Sequence, residues 1–255
     1  MSADDSPRGL ASGRELAQGL ARAAAGDTRR PRAVFLDALG TLLALEPPAP
    51  RLVAALARRG VTVSEQVAAG ALREEIAYYR AHHHEARDVA ALADLRDRCA
   101  AVLQRHLPEP VPDLRAALLA SLRFTPYPEV PDALRALRAG GVRLVVVSNW
   151  DVSLHEALAA TGLARLVDGA ISSAEVGAAK PDPAIFARAL ALAGDGVTPG
   201  DAVHVGDEAV DVEGARAAGV APVLVGRDGA ERAPARRDGV PVLPDLRGLP
   251  ALILS

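Results

Sequence analysis

The stretch VFLDALGTLL, residues 34–43, decides the fold of this chain. It begins as an apolar run typical of a buried strand, stops at the acid Asp37, and then turns through Gly40 and Thr41. Strands of a parallel sheet that is covered on both faces are continuously apolar, because neither side of the strand meets water. The stretch therefore predicts the first strand of such a sheet, with an ionisable side chain at its carboxyl end.

Downstream, the chain repeats this strand pattern in alternation with helices. Four further apolar runs, VRLVVVS, GAIS, DAVHVGD and APVLVG, are separated by segments of helical character. Short apolar strands that alternate with helices are typical of a parallel sheet with helices on both faces. We therefore predict an α/β fold built on a doubly wound parallel sheet.

Two proline-rich joints, EPPAP and FTPYPEVP, divide the chain. Between them lie amphipathic segments rich in Ala, Leu and Arg, which no strand-like run interrupts. We predict an inserted all-helical domain at residues 46–124 and a core domain made of residues 31–45 and 125–255. Residues 1–30 carry Ala, Arg, Gly and charge without a clean apolar stripe, and we predict a disordered or weakly helical leader there.

Composition narrows the class of function. The chain has 255 residues, half of them hydrophobic, and a formal net charge of -3, so it can build a core but has no basic surplus for nucleic acid. It has no run long enough for a transmembrane helix and no signal-peptide pattern, and the single Cys99 cannot form an internal disulfide. We predict a cytoplasmic protein with a small-molecule substrate, no nucleic-acid or membrane partner, and an oligomeric state that stays open.

Polar residues end three of the predicted strands. They are Asp37, Ser148 with Asn149 directly after it, and Asp207. Ligands of open parallel sheets bind beyond the carboxyl ends of the strands, so we expect these side chains to meet in one crevice. Each of them could instead cap a turn or a helix. The prediction of a site therefore depends on their joint arrangement.

Two further charged residues can join this crevice. Lys180 stands in KPDPAIF just before a predicted helix, and Asp211 follows Asp207 by four residues. Several carboxylates in one crevice repel one another unless a cation lies between them, and Mg²⁺ suits a few carboxylates, waters and a substrate phosphate. Together with the Ser148–Asn149 pair to hold oxygens, the set predicts phosphoryl transfer to a carboxylate nucleophile, followed by hydrolysis.

Four motifs in this order resemble those of the haloacid dehalogenase-like hydrolase superfamily, in the branch whose helical cap is inserted after the first motif. They are DALGT, VVVSN, KPDPAIF and VGDEAVD, and the resemblance covers about residues 32–254. It implies a Rossmann-like core with a helical cap and a hydrolase that uses Mg²⁺. The implied roles are Asp37 as nucleophile, Lys180 as charge stabiliser, Thr41 and Ser148 as substrate-oxygen ligands, and Asp37, the Leu39 main-chain carbonyl, Asp207 and Asp211 as metal ligands.

The first motif departs from the phosphatase pattern at Leu39. Phosphatases of this superfamily usually carry a second Asp at that position, which protonates the leaving group and then activates water. General acid–base catalysis is typically worth about 10²–10⁴-fold. The departure therefore implies slow hydrolysis of ordinary alkyl phosphates, unless a nearby acid substitutes, for which Glu208, Asp151 and His204 are the candidates.

Two other functions stay open. A 2-haloacid dehalogenase also lacks the second Asp, because halide leaves without a proton. Dehalogenases of the superfamily need no metal, usually have a neutral fourth motif, favour Tyr where Phe186 stands, and carry an Arg soon after the first motif in a context that this chain lacks. Because Asp207 and Asp211 are both retained, the metal-dependent phosphohydrolase is the preferred interpretation. The third hypothesis is a binding module with weak or no chemistry.

A few residues outside the motifs carry weaker signals. Three consecutive histidines occupy residues 82–84, and we interpret them as a solvated or cap-facing patch, since neighbouring helical residues point in different directions. Tyr78 or one of these histidines could touch substrate. Trp150 could line the crevice or pack in the core, and we expect Cys99 to be a small buried hydrophobe.

Overall fold

The computed structural model describes residues 30–227 and 239–255. At its centre, six strands form a parallel sheet: β1 (Ala33–Leu36), β4 (Arg143–Ser148), β5 (Gly169–Ser172), β6 (Ala202–Gly206), β7 (Ala221–Val225) and β8 (Val242–Leu243). Their order across the sheet is β5-β4-β1-β6-β7-β8. The predicted doubly wound parallel sheet is thereby confirmed. The predicted leader at residues 1–30 lies outside the described residues, apart from Arg30.

The helices fall into two groups. Four lie between the short strands β2 (Leu43–Leu45) and β3 (Phe124–Pro126), and they are α1 (Pro48–Ala57), α2 (Glu65–His82), α3 (Val89–Arg105) and α4 (Leu114–Ser121). The others are α5 (Val130–Ala139), α6 (Leu154–Ala160), α7 (Ser173–Val176), α8 (Ala184–Ala193), α9 (Ala209–Ala217) and α10 (Leu249–Leu254). Among the helices of the described residues, none combines the length and the apolar character that a membrane crossing requires.

Strand β1 shows why its sequence is apolar at every position. Val34 and Leu36 pack on one face of the sheet, in a cluster with α5, α6 and α10. Ala33 and Phe35 pack on the other face, in a cluster with α8 and α9. All four residues are fully buried, and each large apolar side chain buried in this way contributes about 1.5–3 kcal/mol. Successive residues of the strand thus bury alternate faces of the sheet.

The helices α1–α4 form what we call the helical segment, residues 48–121, with a hydrophobic cluster of its own. Its largest fully buried side chains include Leu52, Leu95 and Leu103, and the buried Cys99 packs with them as predicted. The Ser64 side chain caps α2 by accepting a hydrogen bond from a backbone N–H of the first turn. The helical segment therefore has the caps and the core of a locally stable unit.

A short strand just before the first proline-rich joint pairs with the beginning of the second joint, which the sequence pattern does not predict. β2 and β3 are antiparallel, with Leu43 opposite Pro126 and Leu45 opposite Phe124. Each strand is only three residues long. The sequence pattern around Pro126 indicates a turn, although a proline is tolerated in an edge strand. This pair holds the two ends of the helical segment side by side, next to the DALGT turn.

The strand order creates a crevice at one edge of the sheet. β1 lies between β4 and β6, and the chain continues from β4 to β5 on one side and from β6 to β7 on the other. The register sets Leu36 level with Val146 and Val205. The residues that follow the three strands therefore lie at similar heights, beyond the carboxyl ends where such sheets bind ligands.

Candidate active site

The predicted strand-end residues meet at this edge of the sheet. Asp37 follows β1, Ser148 ends β4, and Asp207 follows β6. All three are buried, and the Asp37 backbone N–H donates to the Val205 carbonyl at 2.9 Å, which continues the sheet past the last strand residue. The sheet therefore holds these side chains on rigid strand ends.

Lys180 bridges two of the acids. Its Nζ donates to Asp37 Oδ1 at 2.6 Å, to Asp211 Oδ1 at 2.6 Å and to the Val147 carbonyl at 3.0 Å. The lysine is only 4% exposed, so all three donors of the ammonium are used inside the protein. The position of Lys180 in the loop before α8 thus brings its charge to the end of β1.

Burial and neighbouring charges shift the pKa values of these groups. Burial raises the pKa of Asp37, and the charge of Asp211 adds to the rise while Lys180 opposes it. Burial disfavours the charged forms of Lys180 and Asp211 as well. The Asp37 and Asp211 carboxylates outweigh this burial effect and raise the pKa of Lys180. The charge of Lys180 and the hydrogen bond with His204 hold the pKa of Asp211 below its usual range. Lys180 therefore stays cationic and Asp211 anionic near neutral pH.

Asp211 is fixed at the start of α9 by several donors. Its Oδ2 accepts from the backbone N–H groups of Asp207 at 3.2 Å and Glu208 at 3.0 Å. Its Oδ1 lies 2.9 Å from Nε2 of His204, which is fully buried on β6. A carboxylate near a helix N-terminus with this many contacts has one defined position.

Three carboxylates form a cluster that fits a divalent cation. Oxygens of Asp37, Asp207 and Asp211 all lie within 4.8 Å of one another, and the residues are buried. The Lys180 ammonium contacts two of the three, Asp37 and Asp211. Hard carboxylate oxygens suit Mg²⁺ better than a softer metal.

The predicted substrate ligands lie around this cluster. Thr41 Oγ1 donates to Asp207 Oδ1 at 3.4 Å, and Ser148 Oγ donates to Asp37 Oδ1 at 3.0 Å. Asn149 is engaged differently, because its Nδ2 donates to the Lys180 carbonyl at 3.0 Å and its Oδ1 accepts from the Lys180 backbone N–H at 2.7 Å. The Asn149 amide thus positions the lysine loop, and its contact with substrate stays a prediction.

Leu39 and the three acids considered in its place occupy different surroundings. Leu39 is 36% exposed. Asp151 is buried and accepts from the Tyr79 hydroxyl at 2.9 Å, and His204 is buried against Asp211. Glu208 is about half exposed, and its carboxylate lies 3.6 Å from the Arg80 guanidinium of α2. Of the three candidates, Glu208 is the one that reaches solvent beside the crevice.

Two glycines of the motifs are required by close contacts, which the sequence reasoning passed over. A Cβ at Gly40, whose φ is +87°, would lie 2.3 Å from Asp207 Oδ2. A Cβ at Gly206 would lie 2.1 Å from Asp211 Cγ. A glycine directly before an acid, as Gly206 stands before Asp207, is a signal that could have indicated such a close approach.

The helical segment contacts the core through buried polar side chains, which we call the seam: Tyr79, His83, Asp151 and Ser173. Tyr79 donates to Asp151, and His83 Nδ1 lies 3.1 Å from Ser173 Oγ. Burial lowers the pKa of His83 to about 4, and the adjacent His84 adds to this effect. The imidazole is therefore neutral at physiological pH, and the tautomer is set by its partner.

The structure shows the surroundings of the histidine run, Tyr78 and Trp150. His84 is exposed, whereas His83 is only 7% exposed, so the interpretation of the run as a solvated or cap-facing patch needs correction at His83, which is buried against the core. The ring of Tyr78 stacks on His82 at 4.0 Å. Trp150 is buried and its ring lies 4.9 Å from Phe124, which supports core packing.

Comparison with known proteins relates the chain to phosphatases and dehalogenases. It is 42% identical over 127 residues to human haloacid dehalogenase-like hydrolase domain-containing protein 3, covering 48% of this chain and 49% of that protein. It is 40% identical over 123 residues to a phosphoserine phosphatase of Thermus thermophilus, covering 47% and 49%. The structure of L-2-haloacid dehalogenase from Xanthobacter autotrophicus superposes with a TM-score of 0.63 at 25% identity, over 88% of this chain and 98% of that one.

The extent of these matches differs. The alignments with the two curated relatives take in only about half of each relative's length. The family model for haloacid dehalogenase-like hydrolases matches residues 31–219, which include every motif described above. The chain therefore belongs to the haloacid dehalogenase-like hydrolase family.

Proposed function

We propose that this protein is a metal-dependent phosphohydrolase that acts on a small phosphorylated metabolite through an aspartyl-phosphate intermediate. The observation that carries the proposal is the buried contact of Lys180 with Asp37 and Asp211, with Asp207 beside them. Bringing charged groups out of water costs several kcal/mol per ion, so stability alone gives little reason to collect them at a crevice. Transfer of a charged phosphoryl group does give one.

Mg²⁺ is the proposed cofactor. The carboxylates of Asp37, Asp207 and Asp211 and the main-chain carbonyl of Leu39 would hold the ion, with water and substrate phosphate as further ligands. When bound, it supplies positive charge that orients the phosphate and offsets the charge developing there. The support is the chemistry of the donor set, three buried carboxylates with oxygens within 4.8 Å of one another.

The residues of the chain perform two displacements in this proposal. Ser148 and Lys180 both contact Oδ1 of Asp37, which leaves Oδ2 as the attacking oxygen. Oδ2 forms a bond to phosphorus while the bond from phosphorus to the leaving oxygen breaks. Water then attacks the phosphorus, the bond to Asp37 breaks, and phosphate departs. When phosphate binds, the Thr41 and Ser148 hydroxyls would turn from Asp207 and Asp37 and donate to phosphate oxygens, and Lys180 would offset the charge of those oxygens.

Leu39 sets the class of leaving group. An alkoxide needs a proton as it departs, and Leu39 has none to give. The carboxylate released from an acyl phosphate needs no proton, so acyl phosphates and phosphates of acidic alcohols are the proposed substrates. Glu208 is the proposed source of a proton where one is required, because it reaches solvent next to Asp207.

Two alternatives remain as hypotheses. A 2-haloacid dehalogenase is favoured by the structural likeness to the Xanthobacter enzyme. Against it stand the retained Asp207 and Asp211, and Phe186, which packs its buried ring 4.9 Å from His204 and offers no hydroxyl. A binding module without turnover is less favoured, because the nucleophile and the lysine are in contact.

We also infer the organisation around the site. Residues 46–124 form a cap domain inserted after the first motif, and residues 31–45 and 125–255 form the core. The separate hydrophobic cluster of the helical segment and its contact with the core through the seam support this division. A cap that lies over the crevice would exclude water and select the substrate. The single cysteine is in keeping with the proposed cytoplasmic location.

The test measures phosphate release from acetyl phosphate and p-nitrophenyl phosphate, with and without Mg²⁺, and chloride release from 2-chloropropionate. We expect Mg²⁺-dependent phosphate release, fastest for acetyl phosphate, that Asp37→Asn abolishes. Asp132→Asn is the matched control, because Asp132 is an exposed acid paired with Arg135. Chloride release without metal would move the assignment to a dehalogenase, and no turnover of any substrate would favour the binding module.

A further inference from the structure

Arg227 contacts the DALGT turn from the other half of the chain. It lies two residues after β7, and its Nε donates to the Gly40 carbonyl at 3.0 Å while Nη2 donates to the Thr41 carbonyl at 2.6 Å. Its Nη1 donates to Glu129 at 2.6 Å, and the guanidinium lies 3.5 Å over the Tyr127 ring. Four contacts on one planar group leave it a single orientation.

The turn that Arg227 contacts carries two of the proposed site groups. The Leu39 carbonyl directly precedes Gly40, and the Thr41 hydroxyl donates to Asp207. Gly40 has a positive φ of +87°, a conformation that glycine adopts without strain but that nothing in its own side chain enforces. Hydrogen bonds to the Gly40 and Thr41 carbonyls therefore restrict the two peptide planes that flank Thr41, and the first of these planes adjoins Gly40, across which the Leu39 carbonyl lies.

The charge of Arg227 is already compensated. The Arg227 and Glu129 side chains are only 13% and 8% exposed, and their ion pair is 2.6 Å long. Burial raises the pKa of Glu129, but the contact with Arg227 outweighs it and the net shift is downward, so the acid is ionised. Because Glu129 neutralises it, Arg227 exerts little attraction on a substrate anion. Its other hydrogen bonds are donated to the DALGT turn.

We propose that Arg227 is a positioning residue that fixes the DALGT turn, and with it the Leu39 carbonyl and the Thr41 hydroxyl, for binding of a divalent cation. The inference rests on the proposed function for the identity of the ion. Contacts that orient metal ligands without touching the metal typically change affinity by about 10–100-fold. Electrostatics alone predicts the opposite change in affinity when Arg227 is replaced, because removing a nearby cation strengthens binding of another cation.

The experiment titrates Mg²⁺ calorimetrically into the full-length wild type, Arg227→Met and Arg227→Lys. Arg227→Met keeps an apolar stem over Tyr127 and removes every hydrogen bond, and Arg227→Lys keeps the charge without the planar fork. Arg138→Met is the matched control, since the Arg138 Nη1 donates to the Arg165 carbonyl at 2.7 Å on an exposed surface. Circular dichroism checks the fold, and if Arg227→Met does not fold, Arg227→Lys carries the test alone.

We expect Arg227→Met to raise the Mg²⁺ dissociation constant about 10-fold or more, Arg227→Lys to raise it less, and Arg138→Met to leave it unchanged. In turnover of acetyl phosphate, we expect Arg227→Met to lower kcat and to need a higher Mg²⁺ concentration, with a smaller change in KM. Equal or tighter Mg²⁺ binding by Arg227→Met overturns the inference while leaving the proposed function intact. Weaker binding in a protein whose wild type turns over no phosphate keeps the role of Arg227 and overturns the function.

Discussion

The crevice and the seam bury polar groups in opposite ways. In the crevice, the carboxylates of Asp37, Asp207 and Asp211 lie within 4.8 Å of one another, and the Lys180 ammonium contacts two of them, Asp37 and Asp211. In the seam, a neutral tyrosine hydroxyl meets a single carboxylate and a neutral histidine meets a serine hydroxyl. Hydrogen bonds of the second kind each contribute about 1 kcal/mol, more where one partner is charged.

We interpret the difference as one between groups that stabilise the fold and groups that would bind a ligand. A buried pair whose partners satisfy each other is complete without anything bound. A cluster of carboxylates is stabilised when a counter-ion arrives, because binding to the folded state alone shifts the unfolding equilibrium. Variants of the crevice should therefore respond to Mg²⁺ in their stability, and variants of the seam should not.

The largest effect is expected from Lys180→Met. The change removes the ammonium that contacts both Asp37 and Asp211 and leaves these buried carboxylates without it. Removing one partner of a buried ion pair costs about 3–5 kcal/mol. We expect the free energy of unfolding, measured with urea in the absence of metal, to fall by that amount, and Mg²⁺ to restore part of it.

An exposed ion pair gives the control for this prediction. Arg135→Met breaks the contact of Arg135 with Asp132, an exposed pair of the kind that is typically worth about 0–1 kcal/mol. Its stability should change little and should gain no more from Mg²⁺ than the wild type gains. If Lys180→Met were as stable as Arg135→Met without metal, the buried carboxylates would not depend on the ammonium.

A smaller effect is expected from Tyr79→Phe in the seam. The change leaves Asp151, which is only 3% exposed, without its hydroxyl donor, although the Ser153 backbone N–H still donates to it at 2.6 Å. An unsatisfied buried acceptor costs about 1–3 kcal/mol. Urea unfolding should show this loss equally with and without Mg²⁺, whereas a loss that Mg²⁺ reverses would contradict the contrast between crevice and seam.

The neighbouring tyrosine is the control for Tyr79. The Tyr78 hydroxyl accepts from Arg98, whose guanidinium is one-third exposed and also contacts Glu85 and Asp94. Tyr78→Phe therefore leaves no buried group without a partner, and we expect its stability to stay within about 0.5 kcal/mol of wild type. Equal losses in the two variants would assign the effect to the rings instead of to the Asp151 contact.

The crevice could be predicted from the sequence because each of its residues directly ends or follows a recognisable strand or loop pattern. An apolar run that ends on a polar residue predicts both a strand and the end of that strand where a ligand would bind. Three such ends lie at the same edge of the sheet when the strands are parallel. Asp37, Ser148 and Asp207 were placed in this way, and Lys180 followed from its loop before α8. The metal and the chemistry remain predictions, since they depend on what binds there.

The seam and Arg227 could not be predicted because their partners are distant in the sequence. His83 lies 90 residues from Ser173, and Arg227 lies 187 residues from Gly40. No spacing rule links such residues, and a histidine within a run of three resembles a solvated one until its neighbours in space are known. Contacts that join the helical segment to the core, or one end of the sheet to a turn, depend on tertiary packing alone.

The effect that is smallest at neutral pH, and that grows only on acidification, is a difference in pH dependence caused by His83. Burial holds its pKa at about 4 in the folded protein, below the value of about 6.5 expected when unfolded. Between these values the unfolded chain binds the proton and the folded one does not, so stability falls as pH decreases from about 6.5 towards 4. The contribution of this group is at most about 1.4 kcal/mol per pH unit.

Comparison with His83→Asn isolates that contribution. Asn does not titrate and can still reach Ser173 with an amide, so the variant should lose less stability on acidification than the wild type does, measured as urea unfolding at pH 4.5, 5.5 and 6.5. His106→Asn is the control, because His106 is exposed and should leave the wild-type slope unchanged. Parallel pH profiles for wild type and His83→Asn would mean that His83 takes up its proton in the folded state, and the seam would then hold a cation beside the Asp151 carboxylate.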